Sequence, residues 1–285
     1  MRSRGVVVGI VALFLVAAFG VYLGSRDLKA PDITLPSPSR DCTVRAGDAP
    51  AVTLDAAQMA NAATITAVGV RRRMPERGVV VALATALQES KLENLPGGDR
   101  DSLGLFQQRP SQGWGTPEQI RDPRYAAGKF YAGLAKVRGW QDMRVTDAAQ
   151  AVQRSAFPEA YEKWADEAAV LAAALLGRAT GAVACTVPGE PALRGGPALT
   201  ALGEILELDW GKVETVSPGD VTGLAVAAAD TTSGWRYAHW LVSHATDHGV
   251  KRVAFAGLEW SADGGRWSKA ASSSAHVVAE VFAAA

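Results

Sequence analysis

The sequence predicts a mostly α-helical domain followed by a small α/β domain, both placed after an N-terminal transmembrane helix. Three observations support this fold class. An uncharged apolar run occupies residues 5–24, helix signals continue from Thr53 to Gly177, and alternating strand and helix signals begin after about residue 200. With 285 residues, 48% of them hydrophobic, the chain is long enough to bury a sizeable core.

The N-terminal segment has the length and composition of a membrane anchor. Twenty helical residues with a rise of about 1.5 Å each span roughly the hydrocarbon core of a bilayer, and residues 5–24 carry no charge. Two arginines precede this run, so we expect residues 1–4 to be a cytoplasmic stub and the rest of the chain to be extracytoplasmic. A cleavable signal peptide is the alternative, although the apolar run is long for one.

Two stretches rich in proline and glycine divide the remaining chain. Residues 25–50 and residues 186–199 both have the composition that is typical of linkers. The sequence therefore places the helical domain at residues 51–185 and the α/β domain at residues 200–285.

The two cysteines, Cys42 and Cys185, lie at the two edges of the helical domain. An exported chain folds in an oxidising compartment, where an even number of cysteines favours disulfide formation. We therefore predict a Cys42–Cys185 disulfide, with two buried free thiols as the alternative.

Capping residues and prolines indicate where the helices of the first domain begin. In the second domain, strand signals surround one helix, and we expect an α/β arrangement there. The expected helix starts are Pro75-Glu76, Thr116-Pro117, Asp122-Pro123, Thr146 and Pro158; the expected strands are Thr222–Ala229, Val250–Phe255 and His276–Phe282, and the helix is Gly234–His248.

The charge of the chain excludes one class of partner. The formal net charge is zero, whereas nucleic-acid-binding domains normally carry a basic face. We expect no nucleic-acid partner, and a neutral or zwitterionic glycan remains compatible with this charge.

The stretch from Ala86 to Pro110 contains the strongest candidate for chemistry. A long apolar helical run ends in Glu89 and Ser90, and a loop rich in glycine and aspartate follows. Apolar surroundings disfavour a charged carboxylate, so an acid placed there keeps the proton that a general acid needs. Proton donation by such a group to a leaving oxygen is how glycosidic bonds are cleaved.

Glu89-Ser90, followed by Gly104-Leu105-Phe106-Gln107 and Pro110, resembles the ES, GLMQ and P pattern of soluble lytic transglycosylases. The later Asp122-Pro123 run is similar to another helix of that family, and the resemblance covers roughly residues 75–165. It is closer still to an actinobacterial group of exported lysozyme-like domains. The resemblance implies a lysozyme-like fold, Glu89 as the catalytic acid, Gln107 as a substrate contact and no cofactor.

A second carboxylate would decide between hydrolysis and transglycosylation. Lytic transglycosylases use one Glu as acid and then as base, whereas most glycosidases need a second carboxylate. Asp99 and Asp101 lie in the loop after Glu89 and leave hydrolysis open. The alternative for both aspartates is a structural role, because Asp side chains satisfy backbone amides in Gly-rich turns.

Several other side chains are expected to contact the glycan. Trp114 offers a stacking surface, with a role in packing as its alternative. Tyr161 lies near the position of a tyrosine in the transglycosylase AYNAG motif, but no Asn-Ala-Gly follows it, so a role in the core is its alternative. The full set of expected substrate contacts is Gln107, Trp114, Asp101, Ser90 and Tyr161, and further amides of suitable type are Gln108, Gln112, Gln150 and Gln153.

The second domain resembles the C-terminal domain of D-Ala-D-Ala zinc peptidases. Ala227 stands where that family has an aspartate, and Val278 stands where it has the second histidine of a pair that His276 begins. A catalytic zinc site needs three protein ligands, so we expect no metal here. The sequence favours a degenerate, non-catalytic module that docks a partner in the cell envelope through residues 200–285.

Together these features predict a membrane-anchored, extracytoplasmic glycosidase that acts on peptidoglycan strands. Its target is the bond between N-acetylmuramic acid and N-acetylglucosamine. The alternative is a catalytically inactive scaffold of the envelope that binds peptidoglycan without cleaving it.

Overall fold

The computed structural model describes residues 42–219 and 221–284. The predicted cytoplasmic stub, the transmembrane segment 5–24 and the first part of the predicted linker lie outside these residues. Within the described ranges, no helix combines the length and the apolar character that a bilayer crossing requires. The described residues contain nine α-helices, about 45% of these residues are helical, and a separate β-sheet region is present, which confirms the predicted combination of helices and sheet.

The helical part is built around one buried helix. Of the 15 residues in Glu76–Ser90, 11 are buried, because the run from Gly78 to Leu87 has almost no polar side chain. Its neighbours surround it on every side, as expected for a helix that is apolar all round. The helices of this part are α1 (Ala56–Arg71), α2 (Glu76–Ser90), α3 (Pro117–Ile120), α4 (Pro123–Leu134), α5 (Val145–Gln153) and α6 (Ala165–Leu175), with 3₁₀ turns at Pro110–Gln112, Trp140–Asp142 and Glu162–Trp164.

Local sequence explains several helix starts. Asp55 caps α1 and Thr116 caps α3, each in a capping box with a glutamine three residues later. Asp122 accepts a hydrogen bond from the backbone N–H of Arg124 and caps α4. These side chains satisfy amides that would otherwise lack a partner at a helix N-terminus.

A small antiparallel sheet joins the two edges of the helical part. Its strands are β1 (Cys42–Val44), β2 (Val52–Leu54) and β3 (Val183–Cys185), in the order β2-β1-β3. Cys42 lies opposite Cys185 in the β1–β3 register, and the two form the predicted disulfide. The sequence assigns residues 25–50 to a linker, but β1 lies within that range and two of its three residues are buried. The folded part therefore includes residues 42–44.

The C-terminal part is an antiparallel sheet with helices against it. Its elements are α7 (Gly195–Trp210), β4 (Thr215–Val216), β5 (Gly223–Ala227), α8 (Thr231–Ser243), α9 (Ala245–His248), β6 (Val250–Phe255), β7 (Leu258–Ser261), β8 (Arg266–Lys269) and β9 (His276–Val281). The strand order in the sheet is β4-β5-β9-β6-β7-β8. The expected helix Gly234–His248 is divided at His244, and α7 begins inside the expected linker 186–199.

One continuous set of buried side chains runs through both parts. Trp260 and Trp267, from β7 and β8, donate their indole N–H groups to the carbonyls of Cys185 and Val183 in β3, at 3.0 and 2.7 Å. His239 of α8 accepts from the backbone N–H of Ala182 at 2.9 Å. The helical part and the C-terminal sheet are therefore packed together rather than joined only by a linker.

Candidate active site

Glu89 lies at the last turn of α2, where the helix meets a cleft. Two residues with left-handed backbone conformations, Lys91 (φ 58°) and Leu92 (φ 64°), end the helix directly after it. The Glu89 side chain is half-buried, and its Oε1 accepts hydrogen bonds from the Tyr161 hydroxyl at 2.6 Å and from Gln153 Nε2 at 3.1 Å. Oε2 makes no hydrogen bond with the described residues, so one oxygen is held and the other is free for a ligand.

The cleft beside Glu89 has a volume of about 470 Å³. A second hollow of about 450 Å³ shares four lining residues with the first, so the two adjoin, and we refer to them together as the groove. Amide and guanidinium side chains dominate its walls, with one indole and one phenyl ring. These polar side chains offer hydrogen-bond donors and acceptors to a polar ligand. The described residues along this groove are Glu89, Asp99, Arg100, Ser102, Gln107, Gln108, Arg109, Gln112, Trp114, Val152, Gln153, Arg154, Ser155, Ala156 and Phe157.

The segment Gly104–Gln107 forms a tight turn against α2. Leu105 and Phe106 are buried, and the Phe106 ring stacks on Phe130 with centroids 4.9 Å apart. The Ser90 hydroxyl lies 2.8 Å from the Leu105 carbonyl oxygen, and Gln153 donates to the Phe106 carbonyl oxygen at 2.8 Å. These contacts hold the turn at a fixed distance from Glu89.

Gln107 lines the cleft, and its side chain lies against Gly98. Its backbone is left-handed (φ 44°) and its Nε2 donates to the Gly104 carbonyl oxygen at 3.1 Å. A Cβ atom built on Gly98 would lie 1.7 Å from Gln107 Oε1. The Gln107 side chain can occupy this position only because residue 98 has no side chain.

Three residues for which the sequence predicts substrate contact do not line the cleft. Ser90 is buried and faces the Leu105 carbonyl oxygen, so it holds the turn. Tyr161 is buried, with only its hydroxyl directed to Glu89, so it positions the acid. Asp101 accepts hydrogen bonds from Arg109 Nε at 2.6 Å and from the Ser111 N–H at 2.8 Å. It therefore has the structural role in the loop that the sequence leaves as the alternative to substrate contact.

Two pKa shifts agree with these positions. Burial, and then the charge of Glu89, raises the pKa of Tyr161, so its hydroxyl stays protonated and remains a donor. Hydrogen bonds from Ser111 and Arg109 hold the pKa of Asp101 well below its usual range. Asp101 is therefore a permanent anion that ties the loop, with both oxygens occupied by loop donors.

Three features of the site have no strong local signal in the sequence. Gln153 is identifiable only as a residue of suitable type, since its contact with Glu89 spans 64 positions. Arg154 and the exposed ring of Phe157 also lie along the cleft. Gln150, expected to be a glycan contact, instead makes two hydrogen bonds with the backbone of Ser155.

The C-terminal sheet brings together the positions at which the resemblance implies zinc ligands. Ala227 of β5 lies opposite His276 of β9, and Val278 lies opposite Ala225. Across the part of the chain that the structure describes, no group of three or more His, Cys, Asp or Glu residues is arranged to hold a metal ion. His276 therefore has no set of partner ligands there.

No protein-family model matches this chain, and no curated protein matches it significantly.

Proposed function

We propose that this chain is a peptidoglycan-cleaving glycosidase of the lytic transglycosylase kind, anchored by residues 5–24 with its body outside the membrane. It cleaves the bond between N-acetylmuramic acid and N-acetylglucosamine, and Glu89 is its acid. The observation that carries the proposal is the geometry of Glu89, which lines a polar cleft and has one oxygen held by two donors, while the other accepts no hydrogen bond from the described residues. The resemblance of Glu89-Ser90 and Gly104-Leu105-Phe106-Gln107 to the transglycosylase motifs also supports the proposal.

The two donors determine which oxygen carries the proton. Oε1 accepts from Tyr161 and Gln153, so the proton of the acid form belongs on Oε2, toward the cleft. From there it is transferred to the leaving glycosidic oxygen. The carboxylate that remains is stabilised by the same two hydrogen bonds, and it then accepts the proton of the attacking hydroxyl.

The distribution of carboxylates favours attack by a hydroxyl of the sugar itself. Among the described residues that line the cleft, Asp99 is the only carboxylate besides Glu89. Its side chain is 92% exposed and lies 3.9 Å from Arg100, at the surface. Asp101 is occupied by loop donors. A single carboxylate that acts first as acid and then as base agrees with this arrangement and yields an anhydro sugar rather than a reducing end.

The test is product release from purified cell-wall sacculi by the full chain in detergent. We expect soluble fragments from the wild type, and a loss of at least a thousandfold in the Glu89→Gln variant, because the amide cannot donate an acidic proton. Mass spectrometry of the fragments separates anhydro products from reducing ends. Asp99→Asn serves as the matched control and is expected to keep most of the activity.

Two outcomes would contradict parts of the proposal. If the wild type sediments with sacculi but releases nothing, the chain is the non-catalytic scaffold that the sequence leaves as the alternative. If Asp99→Asn loses activity as fully as Glu89→Gln and the products carry reducing ends, Asp99 is a second catalytic carboxylate and the enzyme is a hydrolase.

A further inference from the structure

Three guanidinium groups line the cleft, and two of them have an acidic neighbour. Arg109 Nε forms an ion pair with Asp101 Oδ1 at 2.6 Å, and Arg100 Nε lies 3.9 Å from Asp99 Oδ2. Arg154 forms no ion pair with any acidic side chain in residues 42–219 and 221–284. Among the described residues that line the cleft, Arg154 is therefore the arginine that forms no ion pair.

Arg154 is one of the four residues that line both hollows, and it follows Gln153, whose side chain donates to Glu89. The backbone around Arg154 is held in place, because the Gln150 side chain makes two hydrogen bonds with the backbone of Ser155, the next residue. A ligand that fills both hollows therefore contacts Arg154, and Glu89 lines the larger of the two hollows.

The backbone of Arg154 has a conformation that favours glycine. The residue ends α5 with φ 54°, in the left-handed region, where a helix is usually followed by glycine or asparagine. A long cationic side chain is thus present where the backbone favours glycine or asparagine. Such a position in a cleft is compatible with a role for the side chain.

We propose that Arg154 binds a carboxylate carried by the glycan beside the scissile bond, so that the cleft selects acidic strands over neutral ones. A guanidinium group matches a carboxylate with two parallel hydrogen bonds. A strand made only of N-acetylglucosamine has no carboxylate. A muramic acid residue has a lactyl carboxyl group, which is free in peptide-free strands, and in substituted strands the attached peptide supplies carboxylates of its own. This inference rests on the proposed function in one respect, because it takes the cleft to be a glycan site.

Binding measured without cleavage tests the inference. The full chain carrying Glu89→Gln is titrated calorimetrically with three strands of equal length: a neutral one, a peptide-free one with lactyl carboxylates and a peptide-substituted one. We expect tighter binding of a carboxylate-bearing strand than of the neutral strand, and a preference that falls with added salt. Adding Arg154→Gln should weaken binding of the carboxylate-bearing strand about tenfold, because one charge-assisted interaction is lost. The affinity for the neutral strand should stay the same.

Matched variants separate charge from folding. Arg154→Gly accepts the left-handed backbone and should match Arg154→Gln in binding, whereas Arg154→Lys should retain part of the preference. Arg138→Gln removes the same charge from an exposed residue that does not line the cleft, and it should change nothing. The strand that loses affinity in Arg154→Gln identifies the carboxylate, lactyl or peptide.

Equal binding of all three strands, or an equal loss of affinity for the neutral strand in Arg154→Gln, would overturn the inference. These results are distinguishable from a failure of the proposed function. Selective binding by a wild type that cleaves nothing contradicts only the catalytic proposal. An absence of binding to any strand contradicts both.

Discussion

Two single residues hold the side chain of Glu89 in place. Glu89 is reached by two donors that lie 64 and 72 positions further along the chain, and both act on the same oxygen. Tyr161 provides the shorter contact, 2.6 Å, from a buried ring. Because that ring does not line the cleft, the role of Tyr161 is to position Glu89 and to stabilise its carboxylate.

Replacing Tyr161 with phenylalanine tests this role. The ring stays buried while the hydroxyl is lost, so kcat should fall about 10- to 100-fold, the equivalent of one hydrogen bond to a charged group. KM should change little, because the residue does not contact the substrate. Initial rates on soluble glycan strands measure both constants. A rise in KM with an unchanged kcat would show that Tyr161 binds substrate after all.

Adjacent glycines provide a matched test of Gln107. A methyl group at residue 98 would overlap Gln107 Oε1, whereas one at residue 97 would have no heavy atom within 4 Å. Gly98→Ala should displace Gln107 and raise KM roughly tenfold, the loss of one or two hydrogen bonds to the glycan. Gly97→Ala should leave KM unchanged. Both glycines are exposed, so the two variants should have the same melting temperature. Similar KM values in the two variants would show that the position of the Gln107 side chain does not affect substrate binding.

At the scale of elements, local signals predicted most of the longer segments, although α6 begins at Ala165 and not at the expected Pro158. The expected strand Val250–Phe255 has the same bounds as β6, and the expected strand at His276 differs from β9 only at its last residue. Strands β1 and β3 are three residues each and show no periodicity. They exist because residues more than 100 positions apart pair with each other, and local sequence does not encode such pairing.

The disulfide is the covalent link between β1 and β3. It closes a loop of 143 residues, and constraints on loops of that length act mainly on the unfolded chain. The double variant Cys42→Ser, Cys185→Ser should lower the free energy of unfolding by about 2–5 kcal/mol. Urea denaturation measures it, and the reduced wild type should match the variant. Equal stability of the oxidised wild type and the variant would mean that the sheet gains nothing from the link.

At the scale of the whole molecule, buried polar groups connect the helical part to the C-terminal part. Asp209 of α7 is buried and lies 2.6 Å from Arg124 of α4. It also accepts hydrogen bonds from Thr64 of α1 and Trp240 of α8, at 3.0 and 2.7 Å. Burial raises the pKa of Asp209 against the opposing effect of these partners. One carboxylate thus joins four helices from both parts.

His239 makes the stability of this junction depend on pH. It lies between the Ala182 N–H and the Ala174 carbonyl oxygen, and burial lowers its pKa to about 4. The unfolded chain, with a pKa of about 6.5 for this group, binds the proton first. The stabilisation is therefore complete above pH 6.5 and is lost as the pH falls toward 4, by up to about 3 kcal/mol.

Replacement by glutamine tests this prediction, since an amide can accept from Ala182 and donate to Ala174 without titrating. Urea unfolding between pH 7.5 and 4.5 should show a smaller loss of stability for His239→Gln than for the wild type. His276→Gln, at an exposed histidine, should follow the wild type. If the free energy of unfolding falls equally with pH in all three proteins, the pH dependence comes from other groups, among them Asp209 and His244.

The sequence by itself determined what depends on near neighbours. Helix caps, the apolar run that ends in Glu89, the disulfide and the division into helical and sheet segments all follow from residue types within a few positions of each other or from compartment chemistry. The tertiary structure decided which polar groups meet. Tyr161 and Gln153 reach Glu89, Asp101 accepts from Arg109 and Ser111, and Arg154 forms no ion pair with the described residues. The reason is that a polar side chain takes the partners that folding brings within about 3 Å, and that distance depends on the packing of elements far apart in the chain.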